Sequence, residues 1–306
     1  MAGSLIKIGV VILNWNGTED TLACLASVRD AAKGLHDTAR IDILVVDNGS
    51  SPPLAAVSLG LTKHDDVAIA RNQENLGFSG GMSVGVQVFQ NRGFDAVWLL
   101  NNDTIVDRHS LRELISHKAN HPQHAMIGSK IISTAGHEAR VHLGHNYFKH
   151  LGFSVPVRPQ QISHYHEARR LFSRVDYIDG AAMFIDLKAL ARAGGFPRQN
   201  FLYFEELNLA SALGGVEKVG VCETSEVIHA GGKSAKSLDA GQRAFYSTIA
   251  ALRYTRDHAP QSLILVFLLR LAVAAIRDIK RLRLEHSKGA LLALTHFLKK
   301  DRNDRP

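Results

Sequence analysis

The sequence predicts an α/β fold, a parallel-rich central sheet covered by helices and followed by a helical carboxyl-terminal region. Two observations carry this. Short apolar runs of strand length, each ending in Asn, Asp or Gly, alternate with stretches whose apolar residues recur at helical spacing. Beyond about residue 235 the alternation stops, leaving helical patterns over 239–258 and, past Pro260, over 262–286. With 306 residues and 45% hydrophobic content, the chain can form one large domain or two small ones around a sizeable core.

The first strand is expected near 8–14, where Gly9-Val10-Val11-Ile12-Leu13 runs into Asn14-Trp15-Asn16-Gly17, and a helix follows near 18–32. A second strand near 41–47 carries Ile43-Leu44-Val45-Val46 into Asp47-Asn48-Gly49-Ser50, and a third lies near 67–71. The turn Asn75-Leu76-Gly77-Phe78-Ser79-Gly80-Gly81 opens a helix near 79–91. A strand near 96–101 takes Val97-Trp98-Leu99-Leu100 into Asn101-Asn102-Asp103-Thr104. Asp107 is placed to cap the next helix, near 108–120, ahead of Leu111, Leu114 and Ile115. Residues 126–133 and 141–157 read as further strands, and Val175 to Ile185 returns the chain to the core. Open α/β sheets bind ligands at the carboxyl ends of their strands, so three apolar strands ending in Asn, Asp and Gly predict one polar crevice suited to a nucleotide.

Cys24 and Cys222 both lie in apolar stretches and read as reduced core residues, with no disulfide framework or thiolate metal cluster. The chain enters its first strand without a charged leader and long apolar segment, so a cytoplasmic location is expected. From residue 270 onward ten basic residues face four acidic ones, which places +6 of the net charge of +7 in the tail. Ser262 to Ile276 is strongly apolar, but Arg270 interrupts it, and it falls short of the roughly 20 residues that span a bilayer. Arg270, Arg277 and Arg281 share one helical face, and a second apolar stretch, Ala290 to Leu298, ends in Lys299-Lys300. This composition suits helices lying on an anionic membrane; packing on the core or on a second subunit is the competing reading. Aromatic residues are not interleaved with these charges, so no nucleic-acid partner is expected.

The four strand-end and turn motifs, in this order, resemble those of the inverting family 2 glycosyltransferases, specifically the rhamnosyltransferase-like branch. A fifth block, Gly180-Ala181-Ala182-Met183-Phe184 through Gly194-Gly195-Phe196 to Phe201-Leu202-Tyr203-Phe204-Glu205-Glu206, resembles the family's acceptor-side region. The resemblance covers roughly residues 6–235 and implies a GT-A fold over 1–235, with a nucleotide-sugar half (1–125) and an acceptor and catalytic half (126–235), ahead of a basic helical region (236–306). It implies metal-dependent, inverting transfer of a sugar, rhamnose being the first to test, from a UDP- or dTDP-linked donor. The acceptor would be a hydroxyl of a glycan or lipid-linked molecule in cell-surface polysaccharide synthesis.

By the same resemblance, Asp103 matches the last Asp of the family's metal motif and His229 the histidine that completes the site, for Mn²⁺ or Mg²⁺. A divalent ion supplies the positive charge that a departing diphosphate needs. Asp47 is similar to the Asp that accepts the N–H of a uracil or thymine ring. Arg71, Asn75, Gly77, Gly80, Gly81 and Asn102 fall at donor-side positions, where glycines allow close backbone approach and present N–H groups at a helix start. Asn14 and Asn16 either frame the nucleotide or form a turn. Glu206 matches the base that takes the acceptor proton, with Glu205 as its neighbour or an acceptor contact. The sequence departs from the family where an Asp is usual at 206, where Asn208 replaces a second Asp, and where an Arg is expected shortly after. These changes leave open a catalytically weak sugar-nucleotide-binding or scaffolding relative. A nucleotidyltransferase on a similar scaffold is the other enzyme alternative, although the chain lacks a Gly-rich amino-terminal loop with a basic residue.

Overall fold

A computed structural model describes residues 5–60, 67–134, 139–159, 175–231 and 238–303. The apolar runs become strands buried on both faces: β1 (Ile6–Asn14), β2 (Ala39–Asn48) and β4 (Ala96–Asn101), with β3 (Val67–Asn72) outside β2. Near-continuous apolar sequence is what a parallel strand covered by helices on both sides requires. The order β3-β2-β1-β4 is parallel throughout, and its register sets Asn14 beside Asp47 and Leu13 beside Asn101. The polar strand ends therefore meet at one edge.

Helices cover both faces. On one, Cys24, Leu25 and Val28 of α1 (Thr18–Ala32) and Leu111 and Leu114 of α3 (Ser110–Asn120) pack on Ile8, Val10, Ile12, Trp98 and Leu100. On the other, Met82, Val86 and Phe89 of α2 (Gly77–Asn91) pack on Val11, Leu44 and Leu99. Burial pushes the Cys24 thiol up to about 12, so it is chemically inert, as a core cysteine should be.

The second half departs from simple alternation. β5 (Thr104–Val106), β6 (Met126–Ser133), β10 (Ala182–Asp186) and β11 (Val219–His229) extend the sheet in the order β4-β10-β6-β11-β5, and β10 runs antiparallel to both its neighbours. The expected strand over 141–157 divides into β7 (Arg140–His142), on the sheet, and a separate hairpin of β8 (Gly144–Phe148) and β9 (Phe153–Val157). β11 escapes sequence reading because Glu223, Thr224, Ser225 and Glu226 interrupt its apolar pattern at a register shift between Cys222 and Glu226. Asp107 does not cap α3; its Oδ1 accepts the His109 N–H (2.8 Å) and turns the chain one step ahead of the helix. Short helices α4 (Leu187–Arg192) and α5 (Glu205–Leu213) follow β10 and precede β11.

The carboxyl-terminal region forms α6 (Ala240–His258), α7 (Leu263–Arg281) and α8 (Glu285–Asn303). The expected helix over 262–286 stops early. Leu282 takes a left-handed conformation, and the Asp278 carboxylate accepts the backbone N–H groups of His286 (3.0 Å) and Ser287 (2.7 Å), starting α8. These helices are packed on the body. Tyr254 OH and Ser211 Oγ lie 2.9 Å apart, His150 Nδ1 and Ser262 Oγ lie 2.8 Å apart, and buried Val266 fills the space that a side chain at Gly152 would need. The expected boundary at 235/236 lies outside the described residues, as do the side chains of Lys300, Arg302 and Arg305.

Candidate active site

At the carboxyl ends of β1, β2 and β4 lies a crevice of about 300 Å³. Asn75, Gly77, Asn102 and Asp103 line it, together with Trp15, Asn48, Phe78, Leu202 and Tyr246, which the sequence did not single out. Its walls are tied by side-chain amides. Asn48 Nδ2 donates to Asn75 Oδ1 (2.9 Å) and the Gly77 carbonyl (3.0 Å), while its Oδ1 accepts from Asn72 Nδ2 (2.9 Å) and the Leu76 N–H (3.2 Å). Gly77 has φ +73°, and a Cβ there would overlap the Phe201 carbonyl that accepts the Phe78 N–H (2.8 Å). Only glycine meets both demands cheaply.

Several expected donor contacts lie elsewhere. Asp47 is fully buried, and its carboxylate accepts from Asn14 Nδ2 (3.3 Å) and the N–H groups of Ser50 (3.2 Å) and Leu54 (3.0 Å). These contacts tie the carboxylate to the loop after β2, and Asp47 does not line the crevice. Asn14 is also fully buried; its Oδ1 accepts from the Gly17 N–H (3.1 Å), Thr21 Oγ1 (2.9 Å) and Asn102 Nδ2 (3.4 Å), so it joins strand ends behind the crevice. Asn16 sits exposed in a left-handed turn (φ 54°), its Oδ1 accepting from the Ser51 N–H (2.8 Å), so of its two readings the turn is the one seen. Gly81 lets α2 close on Leu13 and Asn48, and Gly80 packs on Leu76; both glycines lie behind the lining. Arg71 is exposed on edge strand β3.

Asp103 and His229 come together through β-pairing. β5 runs antiparallel to β11 with His229 opposite Thr104, and the Ala230 N–H donates to the Asp103 carbonyl (3.0 Å). Asp103 Oδ1 then lies 3.3 Å from His229 Nε2, both side chains being largely buried. Two ligand atoms about 2.1 Å from one ion at a right angle would lie about 3 Å apart, so the pair fits adjacent positions on a divalent cation. Among the described residues no cluster of three or more His, Cys, Asp or Glu side chains fit to hold a metal occurs. An ion here would complete its shell with phosphate oxygens and water, as Mg²⁺ commonly does.

His229 also lines a second cavity, of about 380 Å³, which shares Phe78, Asn101 and Leu202 with the first. Its walls come from the β8–β9 hairpin (Tyr147, Phe153), from Tyr177, Asp179 and Gly180, from Tyr203 to Glu206, and from Arg270 of α7. Here the sequence-predicted glutamates lie at the start of α5. Tyr203 (φ 75°) and Phe204 (φ 70°), both non-glycine residues in left-handed conformation, deliver them. Such strain, of order 1–3 kcal/mol per residue, persists where surroundings over-determine it. Part of that support comes from Asn208, whose Nδ2 (2.7 Å) and backbone N–H (2.9 Å) both donate to the Phe204 carbonyl. An Asp at 208 could not donate from its side chain. The departure from the family pattern thus has a structural role here.

Glu205 is buried with Oε1 lacking a hydrogen-bond partner among the described residues, and burial, then the charge of Glu206, push its carboxyl well above the usual range. Glu206 is half-buried and lines the cavity against the bare Cα of Gly180, where a Cβ would overlap its carboxylate. Burial, then the nearby Asp179 charge, raise Glu206 to about 7 against the lowering effect of backbone N–H groups. Asp179 was not anticipated. Burial raises its carboxyl, but His142, whose Nε2 lies 2.8 Å from Oδ2, and the Ala181 N–H (2.8 Å to Oδ1) outweigh this and hold it at about 2. The only sequence signal for it was its place just before the Gly180 block.

Two adjoining cavities, an Asp–His pair at their junction and a carboxylate raised by burial in the second accompany a GT-A-like architecture. The family model "Glycosyl transferase family 2" matches residues 9–190, and the chain belongs to that family. It is 23% identical over 231 residues, 74% of this chain and 67% of the other, to the low-salt glycan biosynthesis hexosyltransferase Agl10 of Haloferax volcanii. Among solved structures it is similar to S. aureus TarS 1–349 (TM-score 0.61, 13% identity, 96% of this chain and 80% of that one). A TarS 1–349 complex with UDP-GlcNAc (TM-score 0.59, 12% identity, 96% and 81%) and GalNAc-T7 with UDP, GalNAc and Mn²⁺ (TM-score 0.57, 16% identity, 74% and 44%) share the fold. The protein is a glycosyltransferase, with a sugar donor and an acceptor as its partners.

Proposed function

We propose that the protein transfers a sugar, with inversion, from a UDP- or dTDP-linked donor to a hydroxyl of a glycan or lipid-linked acceptor, in a divalent-metal-dependent reaction of cell-surface polysaccharide synthesis. The observation that carries this is the Asp103–His229 pair on the wall between the two cavities, with Glu206 facing the second. The donor lies in the crevice of Trp15, Asn48 and Asn75 with its diphosphate toward Asp103, and the acceptor enters beside Glu206. Asp103 and His229 hold Mn²⁺ or Mg²⁺; when bound, the ion supplies Lewis-acid charge to the leaving diphosphate. Glu206 takes the proton of the acceptor hydroxyl as that oxygen bonds to the anomeric carbon, and the breaking C–O bond leaves its electron pair on the diphosphate. UDP in two of the structural neighbours supports a uridine-type donor, and rhamnose is the sugar to test first.

Titrating UDP, dTDP and GDP with and without Mn²⁺ tests the donor side. UDP or dTDP should bind at least tenfold more tightly than GDP, with a Mn²⁺ dependence that Asp103→Ala abolishes and His229→Ala weakens. Equal, metal-independent binding of all three contradicts the proposal.

The membrane reading rests on α7. No helix among the described residues is long and apolar enough to cross a membrane, but Ile264 (75% exposed), Leu268 (55%) and Ile279 (74%) show an apolar face to solvent beside exposed Arg277, Lys280 and Arg281. We propose that this face lies on an anionic bilayer. Co-sedimentation with anionic vesicles should be strong at low salt and lost in an Ile264→Lys, Leu268→Lys variant; retention by that variant rejects it.

A further inference from the structure

Arg270 stands apart from the other basic residues of α7. It shares a helical face with Arg277 and Arg281, as the spacing predicts, but only at Arg270 is that face covered by the body. Arg277 and Arg281 are exposed, whereas Arg270 turns inward and lines the acceptor cavity with its guanidinium 5.6 Å from the Phe204 ring centre. Its Nε is buried without a hydrogen-bond partner, and no carboxylate among the described residues lies within ion-pair distance. Burial, with Arg277 adding to it against the opposing pull of Tyr147, lowers its pKa. A guanidinium partly withdrawn from water without a counter-charge is costly, and an arriving anion would offset that cost.

The cavity lining therefore carries two charged groups with a function. Glu206 marks where the acceptor hydroxyl is deprotonated, and Arg270 offers a planar fork suited to phosphate oxygens. The cavity they line, about 380 Å³, is at the small end of ligand pockets. The outer face of α7 adds a second constraint. Ile264, Leu268, Val273 and Ile276 are exposed on the helix whose inner face holds Arg270, so only one helix diameter, about 10 Å, separates the guanidinium from an apolar surface. That is the arrangement for an amphiphile whose phosphate sits in the cavity while its chain leaves along the helix.

We infer that Arg270 is an acceptor-binding residue that takes the phosphoryl group of a lipid-linked acceptor. This rests on the glycosyltransferase reading above and adds the charge and class of the acceptor. The test uses the full chain with UDP and Mn²⁺ already bound, so that the donor crevice is filled, and titrates farnesyl phosphate, farnesol and methyl glucuronide by calorimetry. The parent should bind farnesyl phosphate at least tenfold more tightly than either of the others. Arg270→Met should lose that difference, and Arg192→Met, at an exposed arginine of α4, should keep it. Without ligands, Arg270→Met should melt no lower than the parent, since it removes a half-buried charge while keeping the bulk. Equal losses in both variants would mean that the phosphate is drawn by surface charge at large and would overturn the inference. So would preferential binding of methyl glucuronide, or a large fall in Tm for both Arg270→Met and Arg270→Gln, which would mean that the guanidinium is satisfied within the protein. Failure of the parent to bind UDP would instead count against the donor reading, so the two failures are distinguishable.

Discussion

The donor crevice and the acceptor cavity adjoin each other but are made differently. The crevice is built from the ends of three parallel strands and the loop into α2, and side-chain amides of Asn14, Asn48 and Asn102 lock it. The acceptor cavity draws on a hairpin, the segment before β10, the strained turn before α5 and a carboxyl-terminal helix. Regular secondary structure positions the first. The second is held by exceptions: two left-handed non-glycine residues, two carboxyls raised by burial and a half-buried arginine. Binding can rest on a rigid rim, whereas proton transfer needs groups held away from their resting chemistry.

Changes on the two sides should therefore separate binding from chemistry. The largest effect is expected from Glu206→Gln, which should leave UDP and Mn²⁺ binding intact while transfer falls by about two to four orders of magnitude, the usual worth of a positioned base. With Glu206 raised to about 7, parent transfer should climb with pH through that value, and the residual rate of the variant should not. Because the folded value lies above the ordinary 4.5, charging Glu206 costs stability as pH rises through about 7, so Glu206→Gln should gain stability over the parent on the alkaline side. Comparable transfer by both proteins would move the role of base to another group.

The two glycines that face the cavities from opposite sides offer a paired test. Gly180→Ala pushes on the Glu206 carboxylate and should cut kcat by about a hundredfold, the scale for a misplacement of about an ångström, with the donor constant unchanged. Gly77→Ala must bear a left-handed φ and an overlap with the Phe201 carbonyl, so it should weaken UDP binding by about tenfold, given the 1–2 kcal/mol that a side chain pays there. Reversed outcomes would mean that the cavities have been assigned the wrong way round.

The smallest change is expected at Asn208. Asn208→Asp restores the residue usual in the family but swaps a donor for an acceptor facing the Phe204 carbonyl, and should lower transfer by roughly tenfold, in line with about 1–2 kcal/mol for a broken buried hydrogen bond. A gain in activity would mark Asn208 as a sign of decay instead of support.

Each of these effects turns on how local the information was. The apolar runs of β1, β2 and β4 bury both faces, so periodicity alone placed them, and their polar ends could only meet at one sheet edge once the strands ran parallel. Asp103, His229, Glu205 and Glu206 stand in motifs that lie along the chain, and folding sets Asp103 Oδ1 3.3 Å from His229 Nε2 and both glutamates in one cavity wall. What local sequence cannot carry is direction and company. Asp47 reads the same whether it faces a nucleotide or its own loop, and only the packed structure shows three internal donors around it. Asp179 acquires its role from His142 and Glu206, which lie far from it in sequence. Arg270 interrupts an apolar helix, which flagged it, but whether it turns to headgroups or to the acceptor cavity depends on how α7 packs over Gly152 and Phe204. Strand pattern and motif chemistry follow from the residues in order, whereas burial, charge neighbourhood and the facing of a side chain exist only after segments distant in sequence have closed on one another.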